Sequence, residues 1–242
     1  MNENALIFFT RIPVPGQCKT RLIPFLGAEA ACALQLAFIA DVSAELCETE
    51  TPCDLVVCFE PSGRRKILES LIAGNARYMP QSGANLGERM HRAFVEIFSL
   101  GYRKALLFGS DLPLLRAAAV DRAFASLDDY DCVLLPTFDG GYGLIGLKEP
   151  DASLFNLDYD AFSVTEETRK ALARVGKTCA LLPPALDVDD REDLLRLQSS
   201  LLSEARNVCP KTRKILAGLL LRQIQPNEKP PHDLSLPRET RK

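Results

Sequence analysis

Short apolar runs alternate along this chain with longer stretches in which apolar residues recur every three or four positions. The runs Ala5–Thr10, Asp54–Phe59, Lys104–Phe108, Cys132–Leu135, Tyr142–Leu147 and Thr178–Leu182 are mostly continuous rather than alternating, the pattern of strands covered on both faces. Between them, Ala28 to about Cys47, Arg64–Ala73, Leu86–Leu100, Leu114–Leu127, Glu166–Val175 and Asp190–Leu202 read as helices. In Leu86–Leu100 the residues Met90, Ala93, Phe94, Ile97 and Phe98 fall on one face. This βαβα order predicts a three-layer α/β/α domain over residues 1–205, with a mostly parallel, Rossmann-like sheet. Ligands of such a sheet bind beyond the carboxyl ends of its strands. Pro210–Gln225 predicts one more helix, and the four prolines and mixed charges from Pro226 on predict disorder. Residues 206–242 are therefore set apart as a C-terminal helix and basic tail.

Composition changes this picture little. A chain of 242 residues buries roughly 70–75% of its unfolded surface and needs no staple. The net charge of −3 gives no general electrostatic footprint for nucleic acid. Charge is segregated, however: from Arg206 on there are nine Lys/Arg against three Asp/Glu, so the body is acidic. Lys211, Arg213, Lys214 and Arg222 could meet an anionic membrane surface, although a solvated terminus explains them more simply. The eight cysteines include no Cys-x-x-Cys pair, and several sit inside apolar runs, where a thiol acts as a small hydrophobe. Reduced thiols, an N-terminus unlike a secretory leader and no apolar run near ~20 residues together predict a cytoplasmic protein.

Candidate chemistry gathers where strands end. After the first strand comes Thr10-Arg11-Ile12-Pro13-Val14-Pro15-Gly16-Gln17-Cys18-Lys19-Thr20-Arg21. Gly16 admits a close backbone approach, Pro13 and Pro15 stiffen the loop, and Lys19 and Arg21 are cationic donors suited to phosphate oxygens. The spacing is not that of a Walker P-loop, and a proline-rich turn with solvated cations is the alternative. The strand at Lys104–Phe108 runs into Gly109-Ser110-Asp111-Leu112-Pro113. Asp111 there suits a hard cation such as Mg²⁺, or else caps a helix that Pro113 begins. Asp187-Val188-Asp189-Asp190 supplies further carboxylates, with Asp187 and Asp189 on one side of extended chain and one of the three available as a helix cap. Asp139-Gly140-Gly141-Tyr142 places a carboxylate before a strand. It is either a hairpin turn or a site where Asp139 accepts from a hydroxyl as general base. Gln81–Met90, with Gly87 and Arg89, covers a base or ribose, or is a plain helix entry.

Taken together these segments resemble a bacterial family of nucleotide-diphospho-sugar transferases within the GT-A glycosyltransferase superfamily. The resemblance runs from about Ala5 to Leu195. It is carried by Pro13-Val14-Pro15-Gly16 with Lys19-Thr20-Arg21-Leu22, Leu86-Gly87-Glu88-Arg89, Gly109-Ser110-Asp111-Leu112-Pro113, Asp139-Gly140-Gly141-Tyr142 and Asp187-Val188-Asp189. It implies a GT-A fold of about seven strands and a divalent metal at Asp111, with some members resembling arsenosugar-synthesis transferases. The chain departs at Phe162-Ser163-Val164, where such relatives often carry Trp-Ser-Thr, and at Gly143, where they tend to have an aromatic.

The expected activity is metal-dependent glycosyl transfer from a nucleotide-diphospho-sugar to a small-molecule or lipid acceptor. In this reading Mg²⁺ or Mn²⁺ sits on Asp111, Asp187 and Asp189. The donor lies on Arg11, Pro15, Gly16, Lys19, Arg21, Gly87, Arg89 and Ser110, and Asp139, Gly140, Gly141 and Tyr142 face sugar and acceptor. A nucleotidyltransferase using a nucleoside triphosphate and releasing pyrophosphate is the alternative, followed by a non-catalytic nucleotide-binding protein.

Overall fold

The computed structural model describes residues 2–60, 65–157, 159 and 163–224. Arg64, Phe162 and everything from Gln225 on, including the proline-rich tail, lie outside the described residues. Seven strands form one sheet: β1 (Asn4–Thr10), β2 (Cys53–Phe59), β3 (Ala76–Pro80), β4 (Lys104–Gly109), β5 (Cys132–Pro136), β6 (Tyr142–Leu147) and β7 (Cys179–Leu181). Their order is β3-β2-β1-β4-β6-β5-β7. All neighbours pair in parallel except β6, which is antiparallel to both β4 and β5. The three-layer, mostly parallel expectation holds.

The helices are α1 (Ile23–Leu26), α2 (Ala28–Leu46), α3 (Arg65–Leu71), α4 (Leu86–Ser99), α5 (Ala117–Asp129), α6 (Val164–Arg174), α7 (Arg191–Ser203) and α8 (Pro210–Ile224). Side chains alternate across a strand. On β1, Leu6 and Phe8 therefore pack with Ile39 and Val42 of α2, Leu68 of α3 and Phe124 of α5. Ala5 and Ile7 pack on the other face with Phe94 and Ile97 of α4 and Leu172 of α6. Each of Ala5, Leu6, Ile7 and Phe8 is at most 1% exposed, which is why this strand reads as an unbroken apolar run.

Two readings change, at β3 and Pro113, and the last helix gains a setting. β3 escapes sequence reading because Ala76-Arg77-Tyr78-Met79-Pro80 is an edge strand with one buried residue, Met79. Pro113 does not begin a helix; the next helix starts at Ala117 behind an extended Arg116. The helix predicted at Pro210–Gln225 does form, as Pro210–Ile224, and it packs on the body. Leu216 is buried with Leu34 and Phe38 of α2 and Leu197 of α7. The buried Asp41 carboxylate accepts from the backbone N–H of Lys211 (3.1 Å) and Thr212 (2.7 Å), satisfying donors that a helix start leaves open. Arg213 donates to the carbonyls of Glu204, Ala205 and Val208. None of the described helices is long and apolar enough to cross a membrane.

Candidate active site

The loops after β1 and β4 meet at the carboxyl edge of the sheet, joined by the segment after β7. Val188 is fully buried and its N–H donates to the Asp111 carbonyl at 3.0 Å, which fastens this segment to the β4 loop. In extended chain that burial turns Asp187 and Asp189 the other way. Carboxylate oxygens of Asp111, Asp187 and Asp189 all lie within 4.8 Å of one another. Asp190 is the helix cap: it accepts from the N–H of Glu192 (2.8 Å) and Asp193 (3.0 Å), and Asp193 closes a capping box.

Lys19 enters this acidic group rather than the solvent. Its Nζ lies 2.8 Å from Asp111 Oδ1 and 3.1 Å from Asp189 Oδ1, and donates to the Val188 carbonyl at 2.6 Å. All three ammonium hydrogens thus have acceptors. Burial works against the ammonium, but Asp111, Asp189 and Asp187 outweigh it and raise its pKa above the ordinary value. The backbone of Lys19 is left-handed, with φ 46°, a conformation that costs a non-glycine residue on the order of 1–2 kcal/mol. Ion pairing of this kind is what holds such strain in place.

Asp187 has the opposite environment. Burial, then the neighbouring charges of Asp111 and Asp189, push its carboxyl up to about 8, with Lys19 offsetting part of the rise. Its Oδ1 is buried and accepts no hydrogen bond among the described residues.

Around this group opens a cleft of about 590 Å³, within the range of small-molecule sites. Of the residues anticipated from sequence, Arg11, Lys19, Arg21, Arg89, Ser110, Asp111, Tyr142, Asp187 and Asp189 line it. Arg21 is exposed and only loosely tied to Asp189, at 3.7 Å, and Arg11 is similarly tied to Glu60, at 3.6 Å. Ser110 Oγ accepts from Gln35 Nε2 of α2 at 2.8 Å.

Six anticipated residues stand elsewhere. Pro15 and Gly16 shape the loop without lining the cleft, and Gly16 adopts φ 82°. Gly87 is buried under the chain at Phe155, whose carbonyl oxygen lies only 2.0 Å from where a Cβ would be; packing explains that glycine. Asp139, Gly140 and Gly141 form the hairpin turn between β5 and β6. Asp139 Oδ1 accepts from Thr137 Oγ1 (2.5 Å) and from the Gly141 N–H (3.1 Å), which ties that oxygen to the turn. Beyond it, the Tyr142 hydroxyl lies 3.4 Å from that of Tyr159. At Gly143 a Cβ would meet Leu112 Cδ1 at 2.5 Å, so Leu112 fills the space an aromatic at this position would need.

Sequence reading missed Gln35 and gave Gln81 only as the start of a segment over a base or ribose; both are buried and both line the cleft. A polar residue on the apolar helix α2 is the one local signal at Gln35.

Comparison with known proteins agrees with this architecture. Residues 43–158 match the family model described as "Uncharacterized protein conserved in bacteria (DUF2064)". A 3-phospho-D-glycerate guanylyltransferase from Phenylobacterium zucineum is 36% identical over 123 residues, 49% of this chain and 52% of that protein. A 2-phospho-L-lactate guanylyltransferase from Methanocaldococcus vulcanius is 26% identical over 63% of this chain and 65% of that protein. The chain thus spans between half and two thirds of the length of these relatives. Among solved structures, a proposed nucleotide-diphospho-sugar transferase from Desulfovibrio desulfuricans G20 superposes with a TM-score of 0.82 at 28% identity, covering 91% of this chain and 98% of that one. A cytidylyltransferase from Leptospira borgpetersenii gives 0.57 at 13% identity, covering 96% and 100%, which speaks to fold alone. The sequence relatives carry the names of guanylyltransferases rather than of arsenosugar glycosyltransferases. The chain has the fold of the nucleotide-sugar and nucleotidyl transferases.

Proposed function

We propose that this chain is a divalent-metal-dependent nucleotidyltransferase that joins a nucleoside triphosphate to a phosphate-bearing small molecule and releases pyrophosphate. The observation that carries the reading is the cluster of three carboxylates around one buried lysine at the carboxyl edge of the sheet. Once an ion displaces the proton of the raised Asp187 carboxyl, three carboxylates and one ammonium leave two negative charges, which suits one divalent ion. The orphaned Asp187 Oδ1 is the kind of acceptor such an ion satisfies. An all-oxygen donor set fits Mg²⁺ or Mn²⁺. Asp111, Asp187 and Asp189 would hold the ion. When bound, it neutralises charge on phosphate oxygens.

In the transfer, an acceptor phosphate oxygen bonds to the α-phosphorus. The bond from that phosphorus to the bridging oxygen breaks, and pyrophosphate leaves with the electron pair. Lys19 keeps a fixed positive charge beside the acidic group. Arg21, weakly held, is available to fork onto phosphate oxygens, and Arg11 and Arg89 add positive charge to the same cleft. Such preorganised charge favours a transition state that sheds negative charge onto its leaving group.

Glycosyl transfer was the first expectation, and two observations favour nucleotidyl transfer over it. The sequence relatives are guanylyltransferases by name. An acceptor hydroxyl needs a base, and Asp139, the candidate, anchors its own turn through Oδ1 and does not line the cleft. A phosphate nucleophile, with a second pKa of about 6, is already ionised at neutral pH. The D. desulfuricans structure, the stronger superposition of the two, keeps glycosyl transfer as the second reading.

The test is product analysis with Mg²⁺ or Mn²⁺. Pyrophosphate from a nucleoside triphosphate and a phosphorylated hydroxy acid supports the proposal. Nucleoside diphosphate from a nucleotide sugar selects the second reading. Metal-independent nucleotide binding that survives Asp111→Ala, with no product of either kind, overturns both.

A further inference from the structure

We infer that Gln81 reads the nucleobase and that the base it selects is guanine; the inference rests on the nucleotide-transfer reading above. Gln81 follows β3, is 6% exposed, and lines the same cleft as the acidic group. Its backbone N–H donates to the Phe59 carbonyl at 2.7 Å, which extends the β2–β3 pairing by one residue. Its side-chain Nε2 donates to two carbonyls, Thr10 at the end of β1 and Cys58 near the end of β2, each at 3.0 Å. Two carbonyl oxygens can be met only by the amide nitrogen, so this pair fixes which way the amide faces. Both N–H groups are thereby occupied. The carbonyl oxygen Oε1 accepts no hydrogen bond among the described residues, yet it is not among the buried oxygens left without a partner. What Gln81 offers the cleft is therefore a single acceptor, held rigidly from two strands.

Its position suits a base. Thr10 ends β1, the strand between β2 and β4, and the Ser110-Asp111 turn follows β4. Adjacent strands are ~4.8 Å apart, so an acceptor anchored between β1 and β2 stands roughly 10 Å or less from the phosphate-binding turn. A ribose and base bridge such an interval. Phe9, Leu86 and Met90 line the same cleft and give apolar surface for the plane of a ring.

The choice of guanine follows from hydrogen-bond polarity. Guanine carries two adjacent donors on its Watson–Crick edge, the ring N1–H and the 2-amino group, and one carbonyl oxygen with two lone pairs can take both. In cytosine and adenine the amino donor adjoins a ring nitrogen lone pair, which would face Oε1 and repel it. In uracil the single N–H lies between two carbonyls that would do the same. A buried acceptor left unmet discriminates more strongly than the bond itself.

The test is calorimetric titration of the full chain with Mg²⁺ and GTP, ITP (which lacks the 2-amino group), 1-methyl-GTP, UTP, CTP and ATP. GTP should bind roughly tenfold more tightly than ITP, about the worth of one buried hydrogen bond, and 1-methyl-GTP should bind more weakly still. In Gln81→Met, with folding checked by thermal melt, GTP and ITP should bind alike. An unchanged GTP/ITP ratio in the folded variant overturns the inference. If the variant does not fold, the wild-type series decides alone, and equal binding of GTP, ITP and 1-methyl-GTP overturns it. Metal-dependent binding of every base alike defeats the role of Gln81 and leaves the transferase reading standing. Binding of no nucleotide at all defeats that reading itself.

Discussion

The ammonium of Lys19 stands 2.8 Å from the carboxylate of Asp111, bringing the loop after β1 onto the turn after β4. Removing one member of a buried ion pair leaves the other uncompensated, a loss of about 3–5 kcal/mol. Here Asp111 is partly open to solvent, which places Lys19→Met at or below the lower end of that range. Its melting temperature in EDTA should fall by several degrees, and Mg²⁺ or Mn²⁺ should recover more of the loss than it adds to the wild type. A variant that melts like the wild type in EDTA would show that the ammonium contributes nothing to stability.

Asp187 should respond in the opposite sense. Asp187→Asn removes a buried carboxyl that Asp111 and Asp189 repel, so the metal-free protein should melt higher than the wild type. The same change takes away an oxygen anion, and the gain in melting temperature on adding Mn²⁺ should shrink or vanish. An intact metal response in Asp187→Asn would remove this residue from the ion site.

A pH dependence is built in far from the cleft. The Asp54 carboxylate accepts from the Tyr102 hydroxyl at 2.8 Å and from Asn2 through Nδ2 (2.8 Å) and the backbone N–H (3.2 Å). Burial raises its pKa, but these bonds outweigh it and hold the carboxyl below the ordinary value. A depressed carboxylate stabilises the fold above its unfolded pKa of about 3.9, and that contribution fades as pH falls through the native value. Tyr102 is pushed up to about 12 by burial and by Asp54, so the phenol stays a donor at neutral pH. Tyr102→Phe should therefore lose about 1 kcal/mol at pH 7, after discounting for solvent screening, and nearly nothing once Asp54 is protonated. Urea melts at pH 7 and pH 2.5 measure the difference. An equal loss at both would point to packing instead.

Gly87 separates a packing role from a ligand role. Gly87→Ala would set a methyl group 2.0 Å from the Phe155 carbonyl oxygen, and overpacking against backbone costs about 1–3 kcal/mol. The expected result is a lower melting temperature with nucleotide affinity little changed in the folded fraction. Weakened binding at unchanged stability would return Gly87 to the ligand.

At α8, Leu216→Ala should cost about 2–4 kcal/mol, the usual range for a buried leucine, because this side chain packs between α2 and α7. A denaturant midpoint unchanged by the substitution would contradict the packing of this helix on the body.

How much of this could be read in advance depends on how local the cause is. β1, β4 and β5 announce themselves because both faces are covered, so nearly every residue is apolar. β3 does not, since an edge strand with one buried residue leaves no pattern to read. The charge asymmetry from Arg206 on sets this segment apart in sequence, whereas burial of Leu216 and capping by Asp41 are long-range facts that composition does not carry. In the site, Asp111 and Asp189 were legible as acids at strand ends. The inward turn of Lys19 was not, because it depends on acceptors from a segment that only the fold brings near. Gln81 belongs with it: its polarity is visible in sequence, but the two carbonyls that orient it come from different strands.

The reversed direction of β6 has one more result. Because this strand runs against its neighbours, it begins where they end, so Tyr142 and Gly143 reach the cleft from the base of a hairpin rather than from a crossover loop. Hairpin tips accept insertions and exchanges more readily than the segments that tie a sheet together. Changes in the turn ahead of Tyr142 can thus shift the Tyr142–Gly143 wall of the cavity while Lys19, Asp111 and Asp189 stay where they are. Under the nucleotidyl-transfer reading, a fold arranged this way can change its acceptor without disturbing the group that faces the phosphates.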